Sequence, residues 1–187
     1  MVEHTIKFLE GDRIYLRPVE AEDLDAYYTF LMDPEMNKWT GTQTVFSKHS
    51  AANWIERIAT PSEERVDLMI LTQTSNQLIG EVVLNDIDPV NRRANIRIAI
   101  SGENNRGQGY GTEAMLLMLR YAFGTLQLHR VELAVYAFNE RALHVYEKLG
   151  FKREGVQRDY LYWNFEYHDA ITMSLLAPEY RTLHQKG

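Results

Sequence analysis

The sequence predicts one α/β domain on a mixed sheet: an antiparallel meander, then alternating helices and strands, then a closing hairpin, with helices on the flanks. Three observations carry this. Short apolar stretches separated by turn residues fill the chain before Gly102. A long apolar run, Thr112 to Phe123, follows a cluster of glycines. Beyond it a strand, a helix closed by glycine and two further strand stretches follow at short spacing.

Arg13 to Arg17 alternates around Ile14 and Leu16 and predicts the first strand. Pro18 and the carboxylates of Glu20, Glu22 and Asp23 predict a helix start, because acids in a first turn complement the helix dipole. This helix is expected to end near Asp33-Pro34, and a second to cover Ser47 to Ile58. Leu68–Leu71, Leu78–Ile87 and Ala94–Ile100 predict three strands. In the last, Ala94, Ile96, Ile98 and Ile100 share one face. Their short connections predict an antiparallel meander.

Thr112–Phe123 is apolar on nearly all sides, which predicts a buried helix. Val131, Leu133 and Val135 mark a strand, and Glu140–Leu149 a helix with Gly150 as its C-cap. Phe151–Tyr160 and Tyr167–Leu175 close the fold as strands. No repeat or long linker interrupts the chain, so a single domain is expected over 1–187.

Composition narrows the functions available. The 187 residues carry a formal net charge of −6, which argues against a nucleic-acid partner. There is no cysteine, hence no thiolate zinc site and no cysteine nucleophile, and a reducing, cytoplasmic setting is expected. His129, His144 and His168 are scattered without ligand spacing, so no required metal is expected. The opening MVEHTIKFLEGDR lacks a signal-peptide pattern, and no run is long enough to span a bilayer.

The glycine cluster reads NNRGQGYGTEA, Asn104 to Ala114. As a P-loop it fails, because Gln108 stands where the lysine belongs. As a dinucleotide fingerprint it fails at Thr112, the place of the last glycine, and it follows a meander rather than opening a parallel sheet. Two readings remain: a diphosphate held at a helix start, or a turn that only joins strand to helix. Downstream lies NERALHVYEKLGF, Asn139 to Phe151. R-G-x-G-x-G entering a helix and N-x-x-A-x-x-x-Y-x-x-x-G-F after the next strand together resemble the GNAT superfamily of acetyl-CoA-dependent N-acetyltransferases. The positions are Arg106, Gly107, Gly109 and Gly111, then Asn139, Ala142, Tyr146, Gly150 and Phe151. RRANIRIAIS, GYGTEAM and HDAITMSLL are most similar to the branch of spermidine and ribosomal-protein N-terminal acetyltransferases.

The resemblance implies a GNAT fold, acetyl-CoA as co-substrate and direct attack of an amine on the thioester. It implies that Arg106, Gly107, Gln108, Gly109, Tyr110, Gly111, Thr112 and Arg141 meet the cofactor's phosphates, although either arginine also fits a solvated surface charge. Ile98, Ala99 and Ile100 would run beside the pantetheine through their backbone. Asn139 would contact the pantetheine or cap its helix, and the two roles can coexist. Tyr146 would be the general acid toward the thiolate; its alternative is a core tyrosine on one face with Ala142, Val145 and Leu149. Many relatives carry a glutamate in the third meander strand, where this chain has Ala94-Asn95. Glu81, on the preceding strand, is then the candidate base, against a solvent-facing strand residue or a water-mediated route.

The acceptor segment DPEMNKWTGTQTVFS, Asp33 to Ser47, is less acidic than in the spermidine branch. Trp39 and Phe46 fit an acceptor wall or packing between helices. RDYLYWNFEYHD, Arg158 to Asp169, mixes aromatics with Asp159, Glu166 and Asp169, which fits a cationic amine or the face of a homo-oligomer. The expected acceptor is a polyamine or small amine, then a peptide amino terminus, then an amino sugar. A non-catalytic acyl-CoA-binding protein is the rival from another class.

Overall fold

In the computed structural model, which describes residues 6–185, eight strands form one sheet in the order β1-β2-β3-β4-β5-β6-β8-β7. The first five amino-terminal residues and the last two of the 1–187 span lie outside the described residues. The strands are β1 Leu9–Glu10, β2 Ile14–Arg17, β3 Val66–Thr72, β4 Leu78–Asp88, β5 Arg93–Ile100, β6 Arg130–Tyr136, β7 Lys152–Trp163 and β8 Glu166–Leu176. The helices are α1 Leu24–Leu31, α2 Pro34–Thr40, α3 Lys48–Ala59, α4 Tyr110–Gly124, α5 Glu140–Leu149 and α6 Ala177–His184. All registered pairs are antiparallel except β5 with β6. That exception follows from α4, since parallel neighbours need a crossover.

The expected period-two face of β5 is present. Ala94 and Ile96 are buried with α4 and α5, and Ile98 and Ile100 pack against the same cluster. Ala99 faces the other way, into a cluster with Tyr27 and Phe30 of α1 and Ala51 and Ile55 of α3. The sheet is therefore covered on both faces. α4 is buried along most of its length, through Ala114, Met115, Leu117, Met118, Leu119 and Ala122. Full burial of a residue such as Leu119 contributes about 1.5–3 kcal/mol.

Four differences from the sequence expectation have local causes. The first helix divides: a 3-10 turn, Ala21–Asp23, precedes α1. The segment after Asp33, expected as a loop, holds α2, because Asp33 caps it, Pro34 suits its first turn and Gly41 ends it at φ 68°. At α6 the Glu179 side chain accepts from Leu176 N at 3.0 Å, and Pro178 lies in the first turn. The late strands run further than expected, because Asn164 and Phe165 take φ 50° and 66° and close a tight hairpin.

Glu154 ties the sheet's far edge together. Arg130 on β6 donates to it from Nη1 at 2.8 Å, and the Ser174 hydroxyl on β8 donates to it at 2.7 Å. Hydrogen bonds from Arg130 and then Ser174 bring the Glu154 carboxyl down to about 2. Its side chain is 41% exposed, so solvent screens the pair. A depressed carboxyl stabilises the fold above its unfolded value of 4.5 and loses that contribution as pH falls through about 2. Glu154→Gln is expected to cost about 0.5–1 kcal/mol at neutral pH and nothing near pH 2, measured by denaturant titration across pH.

Candidate active site

Parallel pairing of β5 with β6 lasts for only three positions, Arg93↔Arg130, Ala94↔Val131 and Asn95↔Glu132. Beyond Asn95 the strands have no registered pairs and part. A cleft of about 990 Å³ opens between them, lined by Ile96 to Ile100 on one side and Leu133 to Tyr136 on the other. β5 stays paired with β4 as far as Ile100, so one edge of its backbone is held and the other faces the cleft.

The glycine cluster forms one end of this cleft. Gly107 and Gly109 take φ 79° and 83°, where L side chains are strained. A Cβ at Gly107 would stand 3.0 Å from Arg141 Nη2, and one at Gly109 2.9 Å from Arg13 Nη2. Gly111 has neither constraint; its place is in the first turn of α4, against Ile98 and Ile100. The loop is moored twice. Arg13 donates from its backbone N at 2.9 Å and from Nε at 3.0 Å to Glu113 in the first turn of α4, and from Nη1 to the Gln108 carbonyl. Arg106 donates from Nε to the Ile100 carbonyl at 3.2 Å and from Nη2 to Asp33 at 3.1 Å, and pairs with Glu35.

Asp33 joins two elements. One oxygen accepts from Glu35 N at 2.9 Å and Met36 N at 3.1 Å and caps α2. The other accepts from Gly102 N at 3.1 Å as well as from Arg106. Burial opposes the Asp33 charge. The backbone donors, led by Gly102 and Met36, and Arg106 outweigh it and hold the carboxyl below its ordinary range.

Most sequence candidates converge here. Arg106, Gly107, Gly109, Tyr110, Gly111, Thr112, Asn139, Arg141 and Tyr146 all line the cleft with Ile98, Ala99 and Ile100. Gln108 is not among the lining residues. Arg106 is neither a solvated charge nor a free cation, since its side chain is 14% exposed and held by Asp33 and Glu35. Arg141 is exposed and has no ion-pair partner among the described residues. Asn139 caps α5, accepting from Ala142 N at 3.1 Å. Tyr146 has no protein hydrogen-bond partner among the described residues, and burial pushes its hydroxyl up to about 12.

Glu81 is buried rather than solvent-facing, and it is not among the lining residues. It accepts from the Tyr27 hydroxyl at 2.9 Å and from Arg97 Nη2 at 3.0 Å, and Trp54 Nε1 donates to Tyr27 at 3.1 Å. Burial pushes the Glu81 carboxyl up, against the pull of Arg97 and Tyr27.

Sequence reasoning missed Arg97, Tyr136, Phe138 and the pair Asn85-Asp86, which also line the cleft. The signal was the outward face of each strand: Arg97 alternates with the apolar face of β5, and Tyr136 with Leu133 and Val135 of β6. Trp39 lines the cleft, 5.8 Å from Phe138, whereas Phe46 packs on the core under α1 and α3. Tyr160 reaches the cleft, while the remaining aromatics of the late hairpin include the exposed pair Tyr162 and Tyr167. No cluster of three metal-ligating side chains, and no helix long and apolar enough to cross a membrane, occurs among the described residues.

Residues 13–152 match the family model described as an acetyltransferase (GNAT) domain, and the chain belongs to that family. It is 32% identical over 175 residues to spermidine N(1)-acetyltransferase of Escherichia coli (strain K12), covering 92% of this chain and 90% of the relative. It is 28% identical over 172 residues to the uncharacterised N-acetyltransferase YoaA of Bacillus subtilis (strain 168), covering 91% and 97%. The fold matches spermidine N-acetyltransferase from Vibrio cholerae, solved in complex with CoA and spermine. The TM-score is 0.84 at 24% identity, covering 91% of this chain and 99% of that one.

Asp33→Ala removes the cap of α2 and the acceptor of Gly102 together. It is expected to cost about 1–3 kcal/mol and to speed amide exchange at Gly102 and Met36, read by denaturant titration and hydrogen exchange. Exchange that stays as slow as in the parent would show that α2 and the loop are fixed by other contacts.

Proposed function

We propose that the protein transfers the acetyl group of acetyl-CoA to the primary amine of a small molecule, a polyamine or another small amine. The observation that carries this reading is the parting of β5 from β6 with left-handed Gly107 and Gly109 at its mouth. The residues suit the co-substrate. The free edge of β5 over Ile98, Ala99 and Ile100 complements a chain of amides, as an added strand would. The N–H groups from Gln108 to Thr112 at the start of α4, with Arg141, give the positive end that a diphosphate needs. Arg106 serves by holding that loop to Asp33 and Glu35. Asn139 fits a pantetheine contact with the face of its amide that does not cap α5. A chain without cysteine suits work in the reducing cytoplasm.

Acetyl-CoA supplies an activated thioester, and the enzyme supplies proximity and control of protons. Tyr146, kept protonated by burial, donates its proton at the sulfur as the thiolate leaves. Backbone N–H groups on the free edge of β5 face the thioester oxygen. Glu81 stands outside the cleft lining, so the amine's proton leaves by water held there. The spermidine acetyltransferase relative supports an amine as acceptor.

The test is free-thiol release from acetyl-CoA with spermidine, spermine, small amines, amino sugars and short peptides with free amino termini. Turnover is expected with a small-molecule amine. Tyr146→Phe is expected to lower kcat by about 10²-fold or more and to leave the Kd for CoA nearly unchanged. Unaltered kcat in that variant would remove Tyr146 from the chemistry, and turnover of peptides alone would move the acceptor to a protein amino terminus.

A further inference from the structure

The charges along the cleft fall into two groups. Near the glycine loop, Arg106 is paired with Asp33 and Glu35, Arg141 lies beside Gly107, and Glu140, its neighbour in sequence, also lines the cleft. At the other end stand Asp86 and Arg97, with neutral Asn85 and Asn95 between them. Asn95 and Arg97 share a face of β5, and Asn85 is the register partner of Asn95.

Arg97 is the unusual member. Its side chain is 50% exposed, while its ion-pair partner Glu81 is 7% exposed. Only Nη2 of Arg97 is engaged, by Glu81 at 3.0 Å. Nε and Nη1 have no acceptor among the described residues, and a guanidinium carries five N–H donors in a rigid fork. Glu81 is itself fixed by Tyr27, and Tyr27 by Trp54. The guanidinium is thus anchored from behind and keeps donors for an anion in the cleft. A polycation arriving there meets a like charge at Arg97 and one carboxylate, Asp86, with neutral Asn95 between them. The same cleft also carries an aromatic wall: Tyr136 and Phe138 stack at 5.6 Å, with Trp39 and Tyr160 next to them.

We infer that the acceptor is an amine that also carries a carboxylate and an apolar or aromatic side chain, an acceptor of the amino-acid class. Arg97 binds its carboxylate, Asp86 faces its ammonium, and the aromatic wall takes its side chain. Glu81 is a positioning residue that acts through Arg97. This inference rests on the acetyltransferase reading and selects within it against a polyamine.

The test compares phenylalanine with phenethylamine, which lacks the carboxylate, and with spermidine, in thiol release from acetyl-CoA. A binding arm titrates 3-phenylpropanoate, which lacks the amine, into the CoA-loaded protein by calorimetry. Arg97→Gln alone leaves a buried carboxylate unpaired, so the double variant Glu81→Gln/Arg97→Gln is included and its folding checked by melting. The wild type is expected to use phenylalanine with kcat/KM at least about tenfold above phenethylamine, the scale of one charge-assisted contact. The double variant is expected to lose that advantage through KM rather than kcat, and to bind 3-phenylpropanoate about tenfold more weakly. Phenethylamine or spermidine matching phenylalanine in the wild type overturns the inference, as does a wild type that does not bind 3-phenylpropanoate. A wild type that binds CoA and 3-phenylpropanoate but releases no thiol with any amine supports the anion site and sinks the catalytic reading instead.

Discussion

The parting of β5 from β6 is the constraint on which the site depends. Two parallel strands joined through α4 would ordinarily zip along their whole length. Here they pair at Asn95↔Glu132 and no further, which leaves a polar backbone edge facing a cleft rather than a ladder. The strands are held apart by contacts on either side. The start of α4 packs on Ile98 and Ile100, and the moored loop before it is tied to β2 by Arg13 and to α2 by Asp33. Asp33 is central, because the carboxylate that starts α2 also fixes the loop carrying Gly107 and Gly109.

The two faces of the sheet divide the work. The face under α4 and α5 is almost wholly apolar and supplies rigidity, with Ile14, Met118 and Val131 fully buried. The face under α1 and α3 carries polar groups in its interior. Glu81, Tyr27 and Trp54 form a chain of hydrogen bonds there that ends at Arg97 in the cleft. A buried carboxylate costs desolvation, which is why the Glu81 carboxyl is pushed up, and hydrogen bonds from both partners offset that cost. Such a network fixes one side chain in one place, which a surface arginine could not achieve through its own flexible stem.

The sequence determined most of the elements in order, short of β1, α2 and α6, together with the apolar faces and the family. Those properties are local or periodic: the alternation in β5, the all-apolar α4, the Gly150 cap and the paired motifs at Arg106–Gly111 and Asn139–Phe151 are each visible within a few residues. Most of the residues it singled out at the glycine loop and on β5 line one cleft, because a loop between a strand and a helix can occupy only one end of the sheet. The tertiary structure decided what depends on residues far apart in sequence. The helix after Asp33 is stabilised by a carboxylate that also receives Gly102, 69 positions away. The same reach pairs Arg106, a phosphate candidate in the sequence, with Asp33 and Glu35. The burial of Glu81, the candidate base, was not legible either, since only the pairing of β4 with β5 and the packing of α1 bring Arg97 and Tyr27 to it. The rest of the cleft lining was only partly legible for the same physical reason: Asp86, Arg97 and Tyr136 join Trp39 from four different elements, and no spacing along the chain records that they meet.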